Sequence, residues 1–215
     1  GNQVRSIQEY QDGSVWLGTE HGVSSYDGHK IRQHVPINGP FGGAVSGGLA
    51  NSTLSPVAGA NAVSGEDLWF NAGASPGAYR LHEYELSFLA FPVPDDVNLH
   101  QGYLVTDHVK GQGAYVWIAT FFAVFGYDGN HFNVINDQAV LDTKPINSLH
   151  VRSVLEDTKG NLWIGNNGIG VLLKDGDSII NFSQQQGLIH AASKGTGDRS
   201  PAGTLEHVFV IEEDS

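Results

Sequence analysis

Apolar residues gather in threes around each tryptophan of this chain. The triplets are Val15-Trp16-Leu17, Leu68-Trp69-Phe70, Val116-Trp117-Ile118 and Leu162-Trp163-Ile164. A strand with one face in water alternates apolar and polar residues, so three in succession predict a short strand covered on both faces. The tryptophans are 53, 48 and 46 residues apart, and a compact residue follows each by two places: Gly18, Asn71, Ala119 and Gly165. Ten places on stand Tyr26, Tyr79 and Tyr127, with Leu173 in the fourth copy; twelve places before stand Val4, Val57, Val105 and Val151. A register kept by every tryptophan is the mark of an internal repeat.

Each unit reads as four strands. In the first these are "VRSIQEY", "SVWLGT", "GVSSY" and "HKIRQHV"; in the fourth, "VRSVLED", "NLWIG", "GVLLK" and "SIINF". The turns between them carry Gly and Asp, which tolerate positive φ and suit hairpins. No long helical periodicity interrupts the pattern. Small four-stranded sheets, buried on both faces and repeating every 46–53 residues, predict an all-β fold: a β-propeller with four recognisable four-stranded blades plus the first strand of a fifth. The whole span 1–215 reads as propeller, with units at about 4–52, 53–103, 104–150 and 151–207 and a partial unit at 208–215. In that partial unit Val208, Ile211, Glu213 and Asp214 repeat Val151, Val154, Glu156 and Asp157. A break inside a repeat favours a piece of a larger propeller over a small closed ring. Each tryptophan is expected to pack between blades, Trp163 deeply and Trp16 less so if the first copy is an edge.

Charge and composition narrow the partners. The chain carries 11 basic against 23 acidic residues, a net −12, which argues against nucleic acid and anionic membrane surfaces. No apolar run approaches the roughly 20 residues of a membrane helix, so no direct membrane insertion is expected in this segment. Gly1 is not a natural start, so a leader ahead of it is expected. There is no cysteine, and with it go disulfides, thiolate metal sites and thiol nucleophiles.

The first and fourth copies, "VRSIQEYQDGSVWLGTEHGVSSYDG" and "VRSVLEDTKGNLWIGNNGIGVLLKDG", resemble two-component regulator propeller repeats. The first departs from that pattern at Tyr10, where the family has Asp, and the fourth at Asn166, where it has Thr. Copies two and three keep the tryptophans and following tyrosines and little else. The resemblance implies an extracytoplasmic sensor region, periplasmic or extracellular, of a histidine kinase, hybrid kinase or cyclic-dinucleotide enzyme. No signalling output module is evident in these 215 residues.

Catalytic chemistry is not evident. The ten histidines form neither His-x-His nor His-Glu-x-x-His, so no metal is expected. The carboxylates at Glu156-Asp157 and Glu213-Asp214 sit beside hairpin turns without the alternating ladder of a calcium loop, which points to turn capping. No Gly-x-Ser-x-Gly elbow and no phosphate loop occur, and no catalytic residue or cofactor is expected. The turn after each tryptophan strand varies where the framework does not, as scaffolds carrying sites do. From those turns we select Phe121 and Phe122 as stacking residues, and Glu20, His21, Asn71, Asn166 and Asn167 as polar groups able to orient a saccharide or other small molecule. A non-catalytic ligand-binding sensor of a bacterial two-component-type protein is therefore the expectation. The alternatives are a protein-interaction or self-associating propeller, and a lyase or hydrolase acting on carbohydrate.

Overall fold

The computed structural model describes residues 4–19, 22–38, 67–72, 75–112, 115–136, 149–188 and 207–214. Its contacts divide the chain into two units, Gly1–Val105 and Thr106–Ser215. In the first, β1 (Val4–Glu9), β2 (Val15–Thr19), β3 (Gly22–Tyr26) and β4 (Ile31–His34) form one antiparallel sheet in chain order. A second sheet holds β5 (Leu68–Asn71), β6 (Gly77–His82) and β7 (Glu85–Ala90). The strand expected around Val57 lies outside the described residues. A 3-10 helix, Val97–Tyr103, follows, capped by the Asp96 carboxylate on the Asn98 N–H.

The second unit repeats the plan. One sheet is β8 (Val105–Lys110), β9 (Val116–Thr120), β10 (Ala123–Tyr127) and β11 (Phe132–Asn136); β8 begins at the boundary itself. The other is β12 (Val151–Glu156), β13 (Leu162–Asn166), β14 (Val171–Asp175) and β15 (Ser178–Asn181), followed by the single helical turn α1 (Phe182–Gln185). The two short helices are additions that the repeat pattern does not contain. Every tryptophan lies on the strand expected of it, and the sheets are β-propeller blades.

Two blade faces build each core. Cross-strand partners share a face, so Trp16 stands with Gln8 and Ser25, while Leu17 stands with Ile7 and Ser24. In the first unit the tryptophan face of blade one (Tyr10, Trp16, Val23) meets the opposite face of blade two (Phe70, Tyr79, Leu81, Phe88). In the second unit Trp117, Ala119 and Val124 of blade three meet Val151, Val154, Leu162 and Ile164 of blade four. Glycine two places after Trp16 and Trp163 makes room first for a serine of the paired strand: a Cβ on Gly18 would stand 2.3 Å from the Ser6 hydroxyl and one on Gly165 2.2 Å from that of Ser153, with Val208 of the final segment 3.1 Å away. Gly126 serves a related purpose, because the Trp117 ring lies over it, 2.5 Å from where a Cβ would be.

Each indole N–H has a different partner among three of the copies. Trp163 donates to Asp157, whose carboxylate also accepts from the Lys159 and Asn161 backbone and the Asn161 side chain. This is the turn capping expected of Asp157. Burial pushes that carboxyl up, but these donors outweigh it and hold its pKa at about 2. In blade one Tyr10 takes the Asp position and is buried, and Trp16 donates to Ser14 at 3.0 Å. In blade three the position is Gly111, and Trp117 donates across the blade boundary to Glu156.

Two expectations change. Among the described residues, 208–214 form no ladder with a second strand; His207 makes an isolated bridge to Asn167, and the Val208 N–H donates to the Asn166 carbonyl at 2.8 Å. The tryptophan burials are also reversed. Trp16 is 2% exposed, whereas Trp163 is only half-buried, edge-on to Phe182 at 5.1 Å. The reason is coverage: a whole sheet lies over Trp16, and a single extended segment reaches the face of Trp163.

Trp16→Ala should therefore cost about 3–5 kcal/mol as a buried aromatic truncation, and Trp163→Ala clearly less. Urea unfolding of both variants checks the order. A second expectation concerns His108 on β8, buried at 3% exposure, with its pKa pushed down to about 3 by burial. It stays neutral in the fold where the unfolded chain protonates it. Its contribution is complete above about pH 6.5 and falls, by up to about 1.4 kcal/mol per pH unit, as pH drops toward 3. Unfolding at stepped pH should show a slope that His108→Gln flattens.

Candidate functional site

At one end of the third and fourth blades, three of the selected residues converge. The turn from β9 to β10 is only Phe121-Phe122, closed by Thr120, whose hydroxyl donates to the Ala123 carbonyl and accepts its N–H. Both phenylalanines are half-buried. The Phe121 carbonyl accepts the Val151 N–H at 3.1 Å, and Val151 pairs with Asn166 across β12–β13. Phe121, Asn166 and Asn167 are thus brought to one place by the start of β12. Asn71 belongs to the other unit and is half-buried at the end of β5. Glu20 and His21 lie outside the described residues.

Sequence reasoning missed Arg152, His150, His207 and Phe209. The Arg152 guanidinium lies 4.7 Å from the Phe121 ring centre and 5.6 Å from that of Phe209, a cation held between two aromatic faces. No carboxylate pairs with it among the described residues, in a chain of net charge −12. The signal was present: both well-preserved copies read Val-Arg-Ser at this point. His150 holds a left-handed backbone, φ +45°, and its carbonyl accepts the Asn167 N–H at 3.0 Å. Such conformations persist in non-glycine residues only where surroundings impose them. Asn167 Oδ1 meets His207 Nδ1.

Asn166 is fully buried, and neither side-chain atom has a hydrogen-bond partner. At the same register Thr19 donates to the Gly22 carbonyl at 2.9 Å and Thr120 to the Ala123 carbonyl at 2.8 Å, each closing its hairpin. The fourth blade lacks this closure, and an orphaned amide stands beside the arginine site instead.

Other polar groups serve the framework. Ser25 and His34 meet at 2.8 Å on the core face, with the His34 ring 4.3 Å from Trp16. Asp67 is buried and takes Arg80 at 2.6 Å and His82 at 2.7 Å, tying β5 to β6. Among the described residues no group of three or more His, Asp or Glu could hold a metal ion.

The stretch 145–168, which supplies His150, Arg152, Asn166 and Asn167, matches the family described as two component regulator propeller. That stretch is similar to a two component regulator propeller repeat. No curated protein matches the sequence. Among solved structures the chain is similar to virginiamycin B lyase from Staphylococcus aureus, at 15% identity and a TM-score of 0.53, over 81% of this chain and 53% of that one. It is also similar to two extracellular domains from B. thetaiotaomicron, described as those of hybrid two component systems. For BT4673 the identity is 13%, the TM-score 0.47 and the coverage 81% of this chain and 20% of that one. For BT3049 the values are 17%, 0.42, 84% and 30%. The chain thus spans about half the length of the lyase and less than a third of each extracellular domain. At these identities the likeness concerns the fold.

The fourth blade holds its orphaned amide at a cost in stability. Asn166→Thr should raise the unfolding free energy by about 1–2 kcal/mol, because it removes two unsatisfied buried groups and restores the hairpin closure. Thermal or urea unfolding measures this, and a loss of stability would mean that the amide is satisfied in solution.

Proposed function

We propose that this chain is a ligand-sensing, non-catalytic propeller segment of a two-component-type signalling protein, placed outside the cytoplasm, and that its ligand is a small anion. The regulator repeat supports the sensor assignment. The anion follows from one observation: Arg152, unpaired with any described carboxylate, is held between Phe121 and Phe209 at the turn end of the blades. A guanidinium presents a planar fork of donors suited to a carboxylate, and flanking aromatic faces suit the apolar face of a sugar ring. A sugar acid combines both features. Asn167 and His207, which meet each other at the isolated bridge, supply further polar groups at this end of the fourth blade.

Titration calorimetry with glucuronate and with glucose tests this reading. Glucuronate should bind and glucose should not, the affinity should fall with added salt, and Arg152→Gln should weaken binding roughly 10- to 100-fold, as loss of a charge-assisted pair does. Equal affinity for both sugars, or silence from both, would overturn it. A second reading, a protein-interaction propeller, is favoured by Phe209 and Val210, which are 57% and 69% exposed beside the same site.

A further inference from the structure

We infer that Arg152 takes its anion side-on, with one carboxylate oxygen on Nε–H and the other on a neighbouring Nη–H, so that the site selects carboxylates over monatomic anions. The inference rests on the anion reading above and adds the binding geometry and the class of anion. Arg152 stands at a β-bulge. The pairing of β12 with β13 shifts between Val151 and Ser153, so Arg152 is the extra residue, facing the step from Asn166 to Gly165. Bulges re-aim a side chain out of the regular ladder and are frequent beside functional sites. Blade one carries the same shift between Val4 and Ser6, but there the residue paired with Val4 is Thr19, whose hydroxyl closes its own hairpin.

Around the fourth-blade bulge, Arg152 Nε, Ser153 Oγ and both amide atoms of Asn166 are buried without a hydrogen-bond partner. The cross-strand pairs put Ser153 on the Trp163 face and Asn166 on the other, with Val151, so these groups flank the bulge on both sides of the sheet. Buried polar atoms are ordinarily paired, and a cluster of unpaired ones calls for an external partner. The arginine narrows its chemistry. The Phe121 and Phe209 rings flank the guanidinium and offer it no oxygen acceptor. An anion bound end-on, across the two Nη groups, would leave Nε–H buried and unsatisfied, which is costly. Side-on binding satisfies it, and the two parallel N–H donors match the two oxygens of a carboxylate. A halide presents a single centre and uses the fork poorly. Phe209 supplies the way in: its ring is 57% exposed and free to turn as surface side chains do, whereas the Phe121 backbone is tied to Val151.

Nitrogen-15 NMR of the unsubstituted chain reads the Nε–H directly, and Arg152→Lys identifies its signal among those of the arginines. Glucuronate should move that signal downfield and slow its exchange with water. In calorimetry Arg152→Lys, which keeps the charge and loses the fork, should weaken glucuronate roughly tenfold or more. At constant ionic strength sodium acetate should compete with glucuronate and sodium chloride should not. Binding by Arg152→Lys equal to that of the unsubstituted chain, or competition by chloride as strong as that by acetate, would overturn the side-on fork and leave the anion reading standing. An Nε–H signal that stays unmoved while calorimetry shows binding would overturn it too, since the contact would then lie at Nη or elsewhere. If the unsubstituted chain binds no glucuronate at all, the anion reading falls and this inference falls with it.

Discussion

The core of both units is one contact made twice: the tryptophan face of one blade laid against the opposite face of the next. It needs two things. The indole supplies area, and the facing blade presents apolar residues on the face away from its own tryptophan. Trp16 over Phe70 and Trp117 over Val151 and Val154 are the same solution with different side chains. Because the tryptophan face is always the donor of the ring, the contact has a direction, and each blade needs a successor on one side and a predecessor on the other.

The same contact explains the departures from the repeat. Once packing holds the ring, its N–H needs only some acceptor, and the copies supply different ones: the turn carboxylate of Asp157, the Ser14 hydroxyl, and Glu156 of the neighbouring blade. Tyr10 can then replace the turn aspartate, because its ring joins the core and packs edge-on against Trp16 and Tyr84. The bond of Trp117 alone among these three crosses to the neighbouring blade, whereas Trp16 and Trp163 are satisfied within their own.

The arginine site grows from the end of that packed interface. Val151 fixes both the Phe121 carbonyl and the end of β13, so the β9–β10 turn and the β13 exit are held side by side. On this rigid base stand the groups that break local rules: a left-handed His150, an orphaned Asn166, and a guanidinium with rings for neighbours. Strain and unsatisfied polarity cost stability and are tolerated where the surrounding packing is strong.

The strands, their order within each blade and the inward face of each tryptophan were determined by sequence alone, because period-two alternation, Asp-Gly turns and the Val–Trp–Tyr register are all local. Phe121 and the two asparagines were legible as turn residues of the right kind. Their convergence was not, since it depends on the Val151 backbone, 30 residues from Phe121. Arg152 reads as one polar residue in a strand until Phe121 and Phe209 close on it from distant parts of the chain. Only tertiary structure decided which faces are covered. Val4-x-x-Ile7 and Val151-x-x-Val154 are the same phrase in sequence, yet one stands in solvent and the other is buried. Burial belongs to a pair of surfaces, and a sequence pattern describes only one of them.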